Sequence, residues 1–497
     1  MSVSAKKIAA FAVSLLVVAA LGAYFFFIPS QEKKYEQEIA AFIEALPGNL
    51  AADTIRVNFL GNAAEIRGLR GATQLLGSDM RVDVASLTLA GLNFTLGKRA
   101  GADKLADSLS ISGCSITKES AMMQEITFKH LELHNIRGDF NAAVADLFGD
   151  ALLERKMDIA ATFSAGPLRL KEYVNTVNTP LGQIMMSLAS WEAQEASLSA
   201  CKNAVWEKMS LAAFGKEIIG LDRMSVAFMK MPNIFAPLLD FVEMRRDFDD
   251  ASAIILEKMR REPFEMRGVV MEGCRFQFMK PAPITADKIS VDLDASADRL
   301  AFTKDVQGLI LLPAIYGPMS LEAALFSAFY GKPLDMDLRM DVLLTQKPGA
   351  PVEILFRDLF IRDKNLASVR LRGIFTHKGD ARHVYDVFGD RGDILLKNAT
   401  VTLEDKAIVS TFLEAEFGGG SRASAGESRE RAARSILALC SAAGEGYAAL
   451  GEGLASLIRA PGRLTIVSAP EVPVNVTNPG RDILKALRLT LEYSPAN

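Results

Sequence analysis

From about Asp53 onward the chain alternates apolar and polar residues with a period of two. The longest run is Leu334-Asp335-Met336-Asp337-Leu338-Arg339-Met340-Asp341-Val342. Ile55–Phe59, Met80–Val84, Ile289–Leu293, Val369–Arg372 and Val401–Leu403 follow the same rule. Side chains of a strand point alternately to its two faces, so each segment carries one apolar and one polar face. Strands of a parallel sheet buried under helices read as continuous apolar runs instead. The alternation therefore predicts antiparallel sheet, with one face against a core and the other in water.

An apolar-Arg/Gln-Gly signature punctuates these segments at Ile66-Arg67-Gly68, Ile136-Arg137-Gly138, Met266-Arg267-Gly268, Val306-Gln307-Gly308 and Leu371-Arg372-Gly373. Its spacing is too irregular for a solenoid of fixed period. Glycine inside a strand permits a bulge, so the shared role expected here is the bending of long strands. Helical periodicity interrupts the strands at residues 141–155, 233–261 and 319–330. The fold class is α+β: a long curved antiparallel sheet of degenerate strand repeats with interspersed amphipathic helices.

Ahead of the strands, Ile8–Ile28 contains no charged residue. At 1.5 Å per residue such a helix spans ~31 Å, the thickness of a bilayer hydrocarbon core. Tyr24, Phe25, Phe26 and Phe27 form an aromatic belt at one end, and Lys6 and Lys7 precede the stretch. The competing reading is a cleaved signal peptide with a small-residue site at Ala20-Leu21-Gly22-Ala23. The apolar run continues past that site, which favours an uncleaved anchor. The expected organisation is a cytoplasmic tail over 1–7, a transmembrane anchor over 8–28 and a helical stalk over 29–52. A β-rich region follows over 53–417 with its helical insertion near 233–261, then a glycine-rich linker over 418–427 and a helix-and-strand segment over 428–497. Ser428 is placed to cap the helix after the linker, where Ile436, Cys440, Ala443, Tyr447, Leu450, Leu454 and Leu457 repeat as a heptad. Four glycines between Gly444 and Gly453 oppose one continuous helix there.

Removing the charges of Lys6 and Lys7 from the formal −4 leaves −6 on the remainder, which offers no long-range attraction to nucleic acid. Cys114, Cys201, Cys274 and Cys440 form no Cys-x-x-Cys pair, and small buried hydrophobes in strands suit their settings better than disulfides.

His130-Leu131-Glu132-Leu133-His134 places two imidazoles and a carboxylate on one strand face. The outer histidines of such a row stand ~13 Å apart, so a solvated polar row is the better reading. Gly444-Glu445-Gly446-Tyr447-Ala448-Ala449 has the form of a dinucleotide fingerprint but follows a helical pattern where that motif needs a strand. Arg391-Gly392-Asp393 is a chance match. No catalytic residue, metal site or cofactor is expected. Met224, Met229, Met266, Met271 and Met279 cluster in the middle of the chain, and adaptable thioethers suit either an irregular core or an apolar ligand groove.

Ile66-Arg67-Gly68-Leu69 before Val84-Ala85-Ser86-Leu87-Thr88-Leu89, and the closing Gly462-Arg463-Leu464-Thr465-Ile466 with Pro473-Val474, resemble the AsmA-like and YdgA-like envelope proteins of Gram-negative bacteria. The resemblance implies a periplasmic domain of curved sheet held at the inner membrane, in some relatives linked to lipid handling or outer-membrane homeostasis. The expectation is a non-enzymatic, single-pass inner-membrane protein. Residues 8–28 would anchor it, and an apolar sheet face would bind a lipid or an envelope partner. The alternative is a scaffold that assembles through its helices.

Overall fold

The computed structural model describes residues 28–46, 48–75, 78–91, 106–118, 123–138, 163–179, 182–197, 199–231, 257–258, 264–277, 282–296, 298–312, 332–347, 349–379, 384, 387, 392–409, 411, 425–444, 447–478 and 483–496. The apolar stretch lies outside these residues except for Ile28. Among the described residues no helix is long and apolar enough to cross a membrane. The helices expected at 141–155 and 319–330 also lie outside them, as does all of 233–261 but Glu257 and Lys258.

Helix α1 (Ile28–Ala45) covers the first part of the segment expected as a helical stalk over 29–52 and buries Ile43, whereas Gly48 and Ala51 form bridges to Thr73 and Arg70. Beyond it the chain divides into two units, Met1–Lys216 with Phe235–Arg246, and Glu217–Ile234 with Asp247–Asn497. The first contains β1 (Thr54–Asn58), β2 (Ala63–Leu75), β3 (Ser78–Ala90), β4 (Ala106–Lys118), β5 (Met123–Ile136), β7 (Leu168–Thr179), β8 (Gly182–Ala193) and β10 (Ala200–Ala213). Each pairs antiparallel with the next of this series. Two short strands, β6 (Ser164–Ala165) and β9 (Glu195–Ser197), pair with one another beside them.

The register turns the period-two pattern into continuous rows. Ile55, Ile66, Leu87, Ile111, Leu131, Leu170, Trp191 and Trp206 are successive cross-strand partners. On the opposite side, Arg56, Glu65, Thr88, Ser110, Glu132, Arg169 and Glu192 form an equally continuous polar row. A one-residue slip of any strand would interrupt every such row, which is why a sheet with one apolar face holds its register.

The second unit repeats the plan with β11 (Lys216–Lys230), β12 (Phe264–Phe276), β13 (Ile284–Ala295), β14 (Arg299–Leu311), β15 (Leu334–Thr345), β16 (Val352–Asp363), β17 (Ala367–Lys378), β18 (Asp393–Asp405), β19 (Gly462–Ser468) and β21 (Leu489–Pro495). The two-residue β20 (Val474–Asn475) pairs with β18. Its apolar row runs Met224, Met271, Ile289, Val306, Leu338, Ile361, Val369, Leu403, Leu464 and Tyr493, across ten strands. Towards the other ends of the strands a core forms around Leu300, Val342, Leu344, Val352, Ile354 and Val384, with Phe356 and Phe375 against it. Phe356 and Phe375 meet edge to face at 5.4 Å.

Backbone irregularities recur on alternate strands, as left-handed residues without a register shift in the first unit and as bulges in the second. In the first unit, left-handed backbone at Gly68, Gly113, Glu172 and Lys208 falls on β2, β4, β7 and β10. In the second, register shifts follow Met266 on β12, Val306 on β14 and Phe356 on β16. Gly268 (φ +59°) and Gly308 (φ +62°) sit in the first two of these. Their N–H groups donate to the carboxylates of Asp292 (2.6 Å) and Asp337 (3.1 Å) on the neighbouring strands. Of the five signature glycines, Gly373 alone lacks a positive φ.

The expected heptad helix is two helices, α2 (Ala425–Ala443) and α3 (Ala448–Arg459), broken at Gly444 (φ +123°). They lie antiparallel, since Arg459 near the end of α3 pairs with Glu430 near the start of α2 at 2.9 Å. Helix α2 starts three residues before Ser428, which is buried within it and so does not serve as the expected cap. The short α4 (Ile483–Leu487) precedes the final strand.

Candidate functional site

Four of the five singled-out methionines come together as two cross-strand pairs, Met224 with Met271 and Met229 with Met266, all half-buried. Met279 lies outside the described residues. Met266 and Met271 are five residues apart, so strict alternation would send them to opposite faces. Their partners on β13 show otherwise. Met266, Val269 and Met271 pair with Leu293, Val291 and Ile289, which are spaced by two and share one face. The extra residue at the Gly268 bulge absorbs the odd step and brings both methionine pairs to that face.

The resulting surface joins soft thioethers to branched side chains. Val269 is 8% exposed and Ile289 9%, whereas Ile361 and Val369, farther along the same apolar row, are 43% and 42% exposed. A surface of this kind can hold an extended apolar chain, because unbranched methionine side chains repack around different shapes. No charged residue enters the ten-strand row.

The histidine motif remains divided. His134 Nε2 contacts Glu132 Oε1 at 2.8 Å, while His130 Nδ1 lies 3.5 Å from Ser112 Oγ on β4. Both belong to the polar face, and among the described residues no group of three metal-ligating side chains converges. Of the Gly444–Ala449 motif, Gly444 follows α2 and Ala448 and Ala449 open α3, so a helix and not a strand precedes it. Cys114, Cys201 and Cys274 are buried free thiols within β4, β10 and β12, and Cys440 is a free thiol on α2. Burial pushes Cys114 up to about 11, with Asp83 adding to the effect. Burial also raises Cys201 and Cys274.

The polar face of the second unit has an organised charge cluster that sequence reasoning missed. Asp358, 8% exposed, has Arg370, Arg372 and Arg339 around it at 3.1, 3.3 and 3.9 Å. Asp337 accepts from Arg362 and from the Gly308 N–H, with Lys364 nearby. Partial burial alone would raise its carboxyl, but these partners outweigh it and hold Asp337 below the ordinary carboxylate range. The available signal was Arg357-Asp358-Leu359-Phe360-Ile361-Arg362, where charges flank an aromatic on the polar phase of a strand.

No protein-family model, curated protein or solved structure matches the chain.

Proposed function

We propose that this chain is a membrane-anchored, non-enzymatic protein of the bacterial envelope whose apolar sheet faces bind lipid-like ligands. Residues 8–28 serve as its inner-membrane anchor and the bulk of the chain lies in the periplasm. The observation that carries this reading is the unbroken apolar row, present in each unit and free of charged residues from strand to strand. The methionine pairs at Met224–Met271 and Met229–Met266 support it, since they suit acyl chains of differing length and unsaturation. The apolar opening stretch and the resemblance to AsmA-like proteins supply the location.

Native mass spectrometry of the detergent-extracted full chain tests it. The wild type is expected to carry a co-purifying lipid, and Met224→Gln with Met271→Gln is expected to lose most of it. Absence of lipid from the wild type, or equal retention by the folded double variant, would overturn the proposal.

A second reading, assembly through the helices, draws on Leu439, which stands 67% exposed on α2. Chemical crosslinking that gives only monomer would exclude it.

A further inference from the structure

We propose that the polar face of the second unit holds an oxyanion site of the phosphate class between Arg339 and Arg370. This site lies on the face opposite the apolar row of the same unit, so it stands or falls independently of lipid binding there. Asp305, Arg339, Phe360 and Arg370 are successive cross-strand partners on β14, β15, β16 and β17. Phe360 is an aromatic ring in an otherwise polar row. The Arg370 guanidinium lies 4.5 Å from its centroid and that of Arg362 lies 5.8 Å away. A depression of about 440 Å³ opens over these residues, with Gln307 and Lys364 also on its wall. That volume is within the range of ordinary small-ligand sites.

The cations around it divide into two kinds. Arg362 is committed to Asp337, Lys364 to Asp335 at 2.6 Å, and Arg372 donates to Asp358 at 3.3 Å. Arg339 and Arg370 are not so engaged. Arg339 Nε is 3.9 Å from Asp358, beyond hydrogen-bond reach. Arg370 Nε is 3.1 Å from Asp358 as an ion pair, but this buried N–H has no hydrogen-bond partner among the described residues, and the side chain as a whole is 41% exposed. Three guanidinium groups thus share one carboxylate, and on the wall of the depression Arg339, Arg362, Lys364 and Arg370 face Asp287, Asp305 and Asp337, a net of one positive charge.

Guanidinium forks bind planar and tetrahedral oxyanions through paired N–H donors. A phosphate monoester carries a charge of about −1.5 to −2 at neutral pH, which two guanidinium groups can meet with paired hydrogen bonds. Asp287 and Asp305 also line the depression, so they oppose a polyanion that would extend to them and leave the Arg339–Arg370 end for one compact oxyanion.

Calorimetry on the detergent-extracted full chain tests the site with inorganic phosphate, glycerol phosphate and phosphatidic acid in mixed micelles. The expected result is phosphate binding with Kd below about 1 mM. Arg339→Gln with Arg370→Gln is expected to weaken it by about tenfold or more, the paired lysine variant by less, and Arg299→Gln not at all. A thermal midpoint that rises with millimolar phosphate in the wild type, and not with sulfate at matched ionic strength or in the folded double variant, supports a phosphate site. Preference for phosphatidic acid over glycerol phosphate assigns the ligand to a lipid headgroup, and equal binding assigns it to a soluble phosphate ester. No response to phosphate in either measurement, or a folded double variant that binds like the wild type, overturns the proposal.

Discussion

At the residue scale the bulge glycines and buried thiols are the positions whose chemistry is most constrained. Gly308 has φ +62°, and a Cβ there would sit 2.1 Å from Asp287 Oδ2. Left-handed backbone costs an L-residue roughly 1–2 kcal/mol before any clash. Gly308→Ala is therefore expected to destabilise the protein by about 1–3 kcal/mol, read as a lower urea midpoint with an unchanged slope. Cys114 makes a second prediction. Its thiol stays neutral in the folded state up to about pH 11, while an unfolded thiol ionises near 9. Below the unfolded value neither state is charged and the thiol has no effect on pH dependence. As pH rises from 9 to about 11 the unfolded state loses its proton first, so stability falls across that window. Cys114→Ala should flatten this alkaline decline, and iodoacetamide at pH 8 should leave Cys114 unmodified until the protein unfolds. Burial of the strand cysteines was legible in the sequence from their short, small-residue settings. The Asp358 cluster was not, because it depends on which strands lie side by side.

At the element scale, the period-two pattern located the strands but underestimated their length. Met80–Val84 and Ile289–Leu293 each show five alternating residues, whereas the strands that contain them, β3 and β13, run for thirteen and twelve; only Ile55–Phe59 matched its strand in length, the five-residue β1. The shortfall has a physical cause: alternation slips phase at each irregularity, as at the bulge between Met266 and Val269 and at left-handed Gly68 between Ile66 and Leu69, so one long strand reads as two short ones. The glycine signature carried that information in part, marking Gly68, Gly268 and Gly308 but also the ordinary Gly373. The break in the heptad helix was likewise foreshadowed by its glycines. Within the α2–α3 pair, a Cβ at Gly451 would lie 2.7 Å from the Cβ of Cys440. The helix propensity gained in Gly451→Ala, about 1 kcal/mol, opposes this clash. The clash should win because both atoms are fixed to helix backbones, giving a net loss of about 1–2 kcal/mol in chemical denaturation. Cys440→Ala keeps the offending Cβ and should not rescue it, whereas Cys440→Gly should relieve the contact. Helix α1 offers a different test. Its Glu36 and Glu32 accept from the N–H groups of Val57 (3.2 Å) on edge strand β1 and of Phe59 (3.0 Å) just after it, covering donors that an edge otherwise leaves open. Replacing both glutamates by alanine should speed amide hydrogen exchange at Val57 and Phe59, with β4 unchanged as internal reference.

At the scale of the whole molecule, each unit is a meander in which nearly every strand pairs with its neighbour in sequence. Antiparallel order of this kind was readable from the alternation, since it needs only short connections and one covered face. Which residues share a face was not readable, because register decides it: Met266 and Met271 meet on one side only through the one-residue shift at Gly268. The tryptophans make this organisation testable in the first unit. The chain has two, Trp191 and Trp206, directly opposed on β8 and β10 and stacked at 5.8 Å. Both end the apolar row that starts at Ile55, so the tryptophan emission of the protein comes from that face alone. If an acyl chain lies along the row, lipids brominated on the chain should quench the emission strongly. Headgroup-labelled lipids should quench it weakly. The Leu131→Asp variant puts a charge in the middle of the row and should reduce chain-dependent quenching severalfold while the emission maximum of the folded protein is retained. Quenching equal for both lipid types, or unaffected by Leu131→Asp, would show that the first unit's apolar face packs against protein and that any lipid is held elsewhere.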